Sequence, residues 1–439
     1  MRKAILALSM VLLALVPAQA LASGDWASFG NGPQHMSYAN ESLTPPLGFS
    51  WTRSADNEII GSPLVSGNTV YYTDGSPNSG DLIAVDLSTG NTIWSYHVDG
   101  AVEGTPALAN GSVIFGSYDE NISSVRASDG HLLWKSQLSD GMYSSPLIYD
   151  GRVYVGTDGS DFYALNLDSG STAWKLSDNT TQGSPAGDNG KVFIGVENGT
   201  VYALDAATGK AAWAYNTTSY IHSSPMIYDG KVFISTRDSG RLFALDETTG
   251  KPVWTSDLGY KTDATPSVDP ATGTVFIGTY GGYAKAYSAA NGTLLWVSRY
   301  YGPIYSNIAV SGSTVYGVTQ AGKLFALNAA DGSEQWTTDL KGETFASPVV
   351  ADGHLVIGTI SKELIAFNAT SVQAAPTGRD ATTSTVSANN NTTMMPEASG
   401  SPNGTTQQTT PFPGIAVSIA AFGVAFFAAA TRYRSDKGK

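Results

Sequence analysis

Ser224-Pro225-Met226-Ile227-Tyr228, then Asp229-Gly230, then Lys231-Val232-Phe233-Ile234-Ser235-Thr236 open a stretch that decides the fold. It continues through Asp238-Ser239-Gly240 and Arg241-Leu242-Phe243-Ala244-Leu245-Asp246, turns at Gly250, and reaches Trp254 by Lys251-Pro252-Val253. These are four short β runs separated by Asp-Gly and Ser-Gly turn signals. Four such antiparallel strands make one propeller blade. The stretch recurs: tryptophans stand at Trp51, Trp94, Trp134, Trp174, Trp213, Trp254, Trp296 and Trp336, a period of about 40 residues that marks a repeat architecture. The copies begin near Pro63, Pro106, Pro146, Pro185, Pro225, Pro266, Ile308 and Pro348. The last copy supplies three strands, ends near Phe367 and has no Trp, while Phe49-Ser50-Trp51-Thr52 precedes the first copy unmatched. The sequence therefore predicts an all-β, eight-bladed propeller of four-stranded antiparallel blades. Its ring is closed by an N-terminal strand, which removes the free sheet edge.

Composition narrows the function classes. The chain has 439 residues, 48 of them Gly, and only 14% are charged, which suits short strands joined by tight turns. A net charge of −13 excludes a basic nucleic-acid surface. With no Cys there are no disulfides, thiolate metal sites or Cys nucleophiles.

The blade tails repeat Ala-x-Asp/Asn, Gly and Trp, as in Ala84, Asp86, Gly90, Trp94 and in Ala203, Asp205, Gly209, Trp213. Small Ala permits close approach of a neighbouring sheet, Gly permits positive φ, and Trp brings a large buried surface with one N–H to satisfy. Blade two departs at Ser124 and Arg126 and blade six at Ser288, so looser contacts are expected there. The element resembles the tryptophan-docking motif of quinoprotein-type propellers, the PQQ-like repeat family, over about residues 24–370. The opening Trp26-Ala-Ser-Phe29-Gly-Asn-Gly-Pro-Gln-His35-Met-Ser-Tyr38 is similar to the lead-in of secreted members. The resemblance implies a propeller and, for redox members, a quinone beside Ca²⁺ in the channel mouth. Those members are longer and many use adjacent cysteines. This chain has neither feature, so the resemblance points to the non-catalytic branch, whose role is protein–protein contact, and no cofactor is expected.

The ends speak of compartment. Arg2 and Lys3 precede an apolar run from Ala4 to Val16 and small-x-small triplets at Ala18–Ala20 and Ala20–Ala22, the pattern of a secretory signal peptide over 1–22. The propeller is assigned to 23–370. Residues 371–412, rich in Thr, Ser, Asn, Gln and Pro, read as a disordered stalk. Residues 413–431 read as a transmembrane helix, and 432–439, with Arg432, Arg434, Lys437 and Lys439, as a basic cytoplasmic tail. Pro411-Phe412-Pro413-Gly414-Ile415 with that span resembles archaeal surface-protein sorting tails, where Phe usually follows Pro-Gly. That likeness implies removal of the span and its exchange for a lipid. Sequons at Asn40, Asn110, Asn121, Asn179, Asn198, Asn216, Asn291, Asn368, Asn390, Asn391 and Asn403 are candidate glycosylation sites.

Candidate binding residues are those that the repeat leaves free. Three positions before each repeat start stand Ile60, Glu103, Tyr143, Gln182, His222, Asp263, Tyr305 and Phe345. Two further back stand Glu58, Ala101, Gly141, Thr180, Tyr220, Lys261, Pro303 and Glu343. The expectation is a ring of acid, aromatic and amide groups at the channel mouth, set against a solvated lining without a ligand. Glu103, Asp263 and Asn307 are the oxygens that a Ca²⁺ site would draw on, too few for an ion that takes about 6–8. No His is paired at metal-ligand spacing, and no nucleophile elbow or phosphate loop is present. The sequence is thus read as a surface-anchored binding or assembly scaffold for protein or carbohydrate partners. A quinone-dependent dehydrogenase and a structural envelope component are the alternatives.

Overall fold

The computed structural model of the chain describes residues 24–177 and 181–369. They form eight sheets, each with four antiparallel strands, and one sheet gains a short fifth strand, parallel, at its inner edge. The expected signal peptide, stalk, span and tail lie outside the described residues.

Blade 5 shows why these residues make this unit. Its strands are Met226–Tyr228, Lys231–Ser235, Arg241–Asp246 and Pro252–Asp257. Asp229 and Gly230 both adopt positive φ (50° and 68°), as a two-residue hairpin turn of type I′ requires. The middle strands bury both faces against neighbouring blades, so Val232, Phe233 and Ile234 read as an unbroken apolar run. The outermost strand alternates, with Val253 and Thr255 exposed and Trp254 turned inward.

Ring closure joins the two ends of the repeat array. Strand Leu47–Ser54 pairs antiparallel with Glu363–Ala369, placing Trp51 opposite Ala366. It becomes the outermost strand of blade 8, beyond His354–Gly358 and Val349–Ala351.

Two systems hold blade to blade. On the outside, seven of the eight repeat indoles reach the turn of the following blade, while Trp336 packs edge-on against Phe367. Trp213 Nε1 donates to Glu247 O at 2.9 Å and its ring covers Gly250, where a Cβ would lie 2.5 Å from the indole. Trp51, Trp94, Trp134, Trp174, Trp254 and Trp296 make the corresponding bonds at 2.7–3.0 Å. A docked Trp covers roughly 150–250 Å², an upper bound of about 4–6 kcal/mol each. The looser contacts expected at blades two and six are not found: Trp94 bonds Ala127 O at 2.9 Å and Trp254 bonds Ala289 O at 3.0 Å, as elsewhere. The acceptor is a backbone carbonyl, so Ser124, Arg126 or Ser288 in place of the repeated residue leaves it intact.

On the inside runs a circle of hydroxyls that the sequence analysis did not anticipate. The residue before each repeat proline accepts the backbone N–H of its counterpart one blade back. The links run from Ser62 to Thr105, Thr105 to Ser145, Ser145 to Ser184, Ser184 to Ser224 and Ser224 to Thr265. They resume from Asn307 to Ser347 and close from Ser347 to Ser62. The following proline biases each such residue to extended backbone, which fixes where its hydroxyl points. The Ser/Thr-Pro signature is therefore an interblade clamp.

The N-terminal segment lies on the axis side of the inner strands. Trp26 exchanges backbone bonds with Val65, and Ala27, Pro33, Gln34, Met36 and Ser37 accept from Leu108, Gly187, Ile227, Val268 and Val310. Tyr38–Ala39 then pairs parallel with Val310–Ser311. Val65, Leu108, Gly187, Ile227, Val268 and Val310 each stand two residues after their repeat start, so the segment satisfies edges that would otherwise face the channel unpaired. His35 is enclosed here, its Nδ1–H donating to Pro225 O at 3.0 Å. Burial pushes its pKa down to about 4, so it is neutral at pH 7.

Candidate functional site: the channel mouth

The loops leading into the inner strands place Ile60, Glu103, Tyr143, Gln182, His222, Asp263, Tyr305 and Phe345 in one environment. Each is half-buried between two buried neighbours, as His222 is between Ile221 and Ser223. They stand five residues upstream of the positions gripped by the N-terminal segment, so mouth and N-terminal segment belong to different levels of the channel.

A second ring, missed in the sequence, interleaves with the first. It consists of Asp74, within the second strand of blade 1, and of the residue two past the end of the second strand in the other blades: Tyr118, Asp158, Glu197, Arg237, Tyr280, Gln320 and Ile360. Six of their backbone N–H groups hold the loops in place. Tyr118 donates to Ala101 O, Asp158 to Gly141 O, Arg237 to Tyr220 O, Tyr280 to Lys261 O, Gln320 to Pro303 O and Ile360 to Glu343 O. A repeated Thr followed by an unrepeated residue, as in Thr157-Asp158, Thr236-Arg237 and Thr279-Tyr280, was the signal that could have found it.

The two rings meet in two clusters. On one side the Tyr118 hydroxyl faces Glu103 and Asp158 and favours their charged forms. Burial, with the charges of Asp158 and Glu58, pushes Glu103 up to about 7. Burial, with Asp140 and Glu197 adding to it, pushes Asp158 up to about 6. Tyr143 stands between these acids and Asp263, and burial holds its phenol well above the usual range. On the other side Asp263 receives Arg237 Nη2 at 2.9 Å and the Tyr280 hydroxyl. Burial alone would raise Asp263, but His222, Arg237 and Tyr280 outweigh it and hold it below its ordinary value. His222 lies 3.7 Å from Asp263 and 3.8 Å from Glu197, and burial, with Glu197 beside it, holds the Tyr220 phenol above its usual range. The aromatic arc continues from Tyr280 to Tyr305, edge-on at 4.6 Å, and to Phe345 at 5.6 Å. Asp158 Oδ1, Asp263 Oδ1 and His222 Nε2 are shielded from solvent and have no hydrogen-bond partner among the described residues.

Other sequence candidates fall apart from this group. Asn307 is buried and its amide turns to Ser37 at 3.3 Å, so it does not join Glu103 and Asp263. Among the described residues no three His, Asp or Glu side chains could hold a metal ion. Lys261 pairs with Asp238 at 2.8 Å, and Glu343 accepts from Gln320 at 3.4 Å. Of the sequons, Asn40, Asn110, Asn198, Asn216 and Asn291 are exposed, and Asn121 and Asn368 half-buried. Thr180 and the sequon residues Asn179, Asn390, Asn391 and Asn403 lie outside the described residues. Among the described residues no helix is long and apolar enough to cross a membrane.

A family model described as outer membrane protein assembly factor BamB matches residues 48–101, 78–184, 163–300 and 280–401. No curated protein matches the chain in sequence. Similar solved structures include BamB from Moraxella catarrhalis, 18% identical, covering 73% of this chain and 99% of that one at a TM-score of 0.64. They also include a europium-containing methanol dehydrogenase, 16% identical over 79% and 98% of the two chains at 0.70. A quinohemoprotein alcohol dehydrogenase from Comamonas testosteroni is 16% identical over 82% and 83% at 0.68. At these identities the likeness shows the propeller fold alone. The family model, matching blade after blade, shows more: the chain belongs to the PQQ-like repeat family described as outer membrane protein assembly factor BamB.

Proposed function

We propose that this propeller is a binding or assembly scaffold for a protein or carbohydrate partner and that the channel mouth is its recognition site. One observation carries the reading: on a frame that repeats from blade to blade, the interleaved rings bring acids, tyrosines, a His and an Arg together, with shielded polar atoms left over. Convergent polar groups within apolar and aromatic walls are the ordinary anatomy of a recognition site. The test is a Tyr143→Ala, Tyr305→Ala double variant of the full chain, assayed for partner capture by cross-linking on intact cells. Loss of the partner at an unchanged melting temperature supports the reading, and equal capture refutes it.

A quinone-dependent dehydrogenase is the second reading, favoured by the likeness to the two alcohol-oxidising enzymes. The residues present do not fit the polycarboxylate quinone that the family's redox members carry. Glu103, Asp158, Glu197 and Asp263 crowd carboxyl groups into the mouth, and its cations, Arg237 and Lys261, are neutralised by Asp263 and Asp238. A redox-active chromophore in the purified protein, or quinone-dependent alcohol oxidation, would restore the enzyme reading.

Export, a glycosylated stalk and a C-terminal membrane anchor that leaves the propeller outside complete the proposal, supported by the sequence of both ends. Protease shaving of intact cells, with mass spectrometry of the released propeller, checks all three. Protection of the propeller from the protease would rule out a surface location.

A further inference from the structure

The repeat supplies its own control for the outer rim. Residues one and three after each docking Trp share one side of the outermost strand, and the fifth follows in the loop. In blade 7 these are Thr337, Asp339 and Lys341, and in blade 5 Thr255, Asp257 and Gly259. In blade 6 they are Val297, Arg299 and Tyr301, with Leu294 and Leu295 ahead of them. Leu294, Leu295 and Val297 are about half exposed (48%, 50% and 45%) and Tyr301 is 95% exposed.

Beside this strip sits a basic aromatic stack. Arg299 lies over its cross-strand partner Tyr283 at 5.3 Å. Lys285 lies 5.6 Å from the same ring, and Tyr260 stacks on it at 4.9 Å. The neighbouring cations Lys261 and Lys323 pair with Asp238 and Asp339, whereas neither Arg299 nor Lys285 forms a salt bridge among the described residues. Lys285 Nζ donates to Leu258 O at 2.7 Å, and the one carboxylate whose charge reaches it, Asp257, offsets one of the two cations. A local excess of positive charge on a chain of net charge −13 selects a partner of opposite sign. The strand Leu294–Arg299 is the outermost of its sheet, so its outer row of backbone N–H and C=O groups faces no further strand of the blade. Natural edges are usually blunted with charge or Pro; this one carries leucines and a valine.

We propose that the outer edge of blade 6 docks an extended acidic segment of another protein by strand addition. The segment pairs with Leu294–Arg299, sets apolar side chains on Leu295 and Val297, and brings carboxylates to Arg299 and Lys285. Backbone pairing gives affinity and the alternating side chains give specificity, with Tyr and Arg supplying the anchors. The proposal shares with the channel-mouth reading only the scaffold role and uses none of its residues.

The test titrates the full chain with a labelled extended ten-residue peptide that carries valines and then glutamates at every second position, with threonine between, so that both fall on one face, beside the same peptide with lysine for glutamate. The acidic peptide binds and the lysine version does not. Arg299→Glu with Lys285→Glu weakens binding by roughly tenfold or more, the scale of losing interface anchors. Tyr301→Ala, which removes an almost fully exposed side chain and no packing, also weakens it. The Tyr143→Ala, Tyr305→Ala variant binds normally, which separates this surface from the mouth. Equal binding of both peptides, no effect of charge reversal in a variant with unchanged melting temperature, or binding of an oligogalacturonate in place of the peptide overturns the proposal.

Discussion

Ser347 donates its backbone N–H to the hydroxyl of Ser62 at 2.9 Å, across 285 residues of chain. This bond joins blade 8 to blade 1 and completes a clamp whose other links are nearly identical in kind. Ser62→Ala leaves the Ser347 N–H unpaired in a buried site, a loss of about 1–3 kcal/mol. Ser62→Thr keeps the acceptor and retains most of the stability. Denaturant melts of the two variants check this, and equal stability of Ala and Thr would contradict it.

Closure also depends on Trp51, whose indole donates to Leu87 O at 2.7 Å and covers Gly90. Trp51→Ala is expected to cost about 3–5 kcal/mol, as for other large-to-small changes at buried aromatics. It also exposes the outer strand of blade 8, so limited proteolysis should begin in residues 47–54. Cleavage elsewhere first would show that closure resides in another contact.

The mouth acids give the fold an unusual pH response. Glu103 keeps its proton up to about 7 in the folded state against an ordinary 4.5. Between those values the folded protein holds a proton that the unfolded chain has lost, so this group's contribution to stability falls as pH rises. Glu103→Gln removes the penalty and should stabilise the protein by up to about 3 kcal/mol at pH 8, with no gain at pH 4. Melting temperatures at the two pH values check it; a gain of equal size at both would point to packing instead.

His35 works in the opposite sense. Its folded pKa of about 4 lies below the ordinary 6.5, so stability is fully present above 6.5 and is lost as pH falls toward 4, by about 3 kcal/mol. Asn tolerates the positive φ of 58° at this position and keeps an N–H donor for Pro225. His35→Asn is therefore expected to lose the acid-side slope, and a variant that melts at low pH as the parent does would contradict the assignment.

The fold was legible because each blade repeats its own turn chemistry. Asp229-Gly230 announces a hairpin, and Trp51 ahead of the first repeat has a place only in the last. The mouth was legible by half. Glu103, His222 and Asp263 stand out at one repeated position, but Tyr118, Asp158, Arg237 and Tyr280 reach them from the neighbouring strand ends. That pairing depends on how blades are spaced around the axis, which no single repeat encodes. The seat of residues 26–39 was hidden for the same reason: its partners, from Val65 to Val310, are 39 to 273 residues away, as 65 − 26 and 310 − 37 show.

Cross-linking on intact cells, comparing the full chain with its Tyr143→Ala, Tyr305→Ala variant at matched expression and melting temperature, tests the central claim most directly. If the channel mouth is the recognition site, a discrete cross-linked partner of the parent chain is lost from the variant. If the same partner is recovered in equal amount, recognition lies elsewhere on the propeller and the mouth is only a solvated end of the channel.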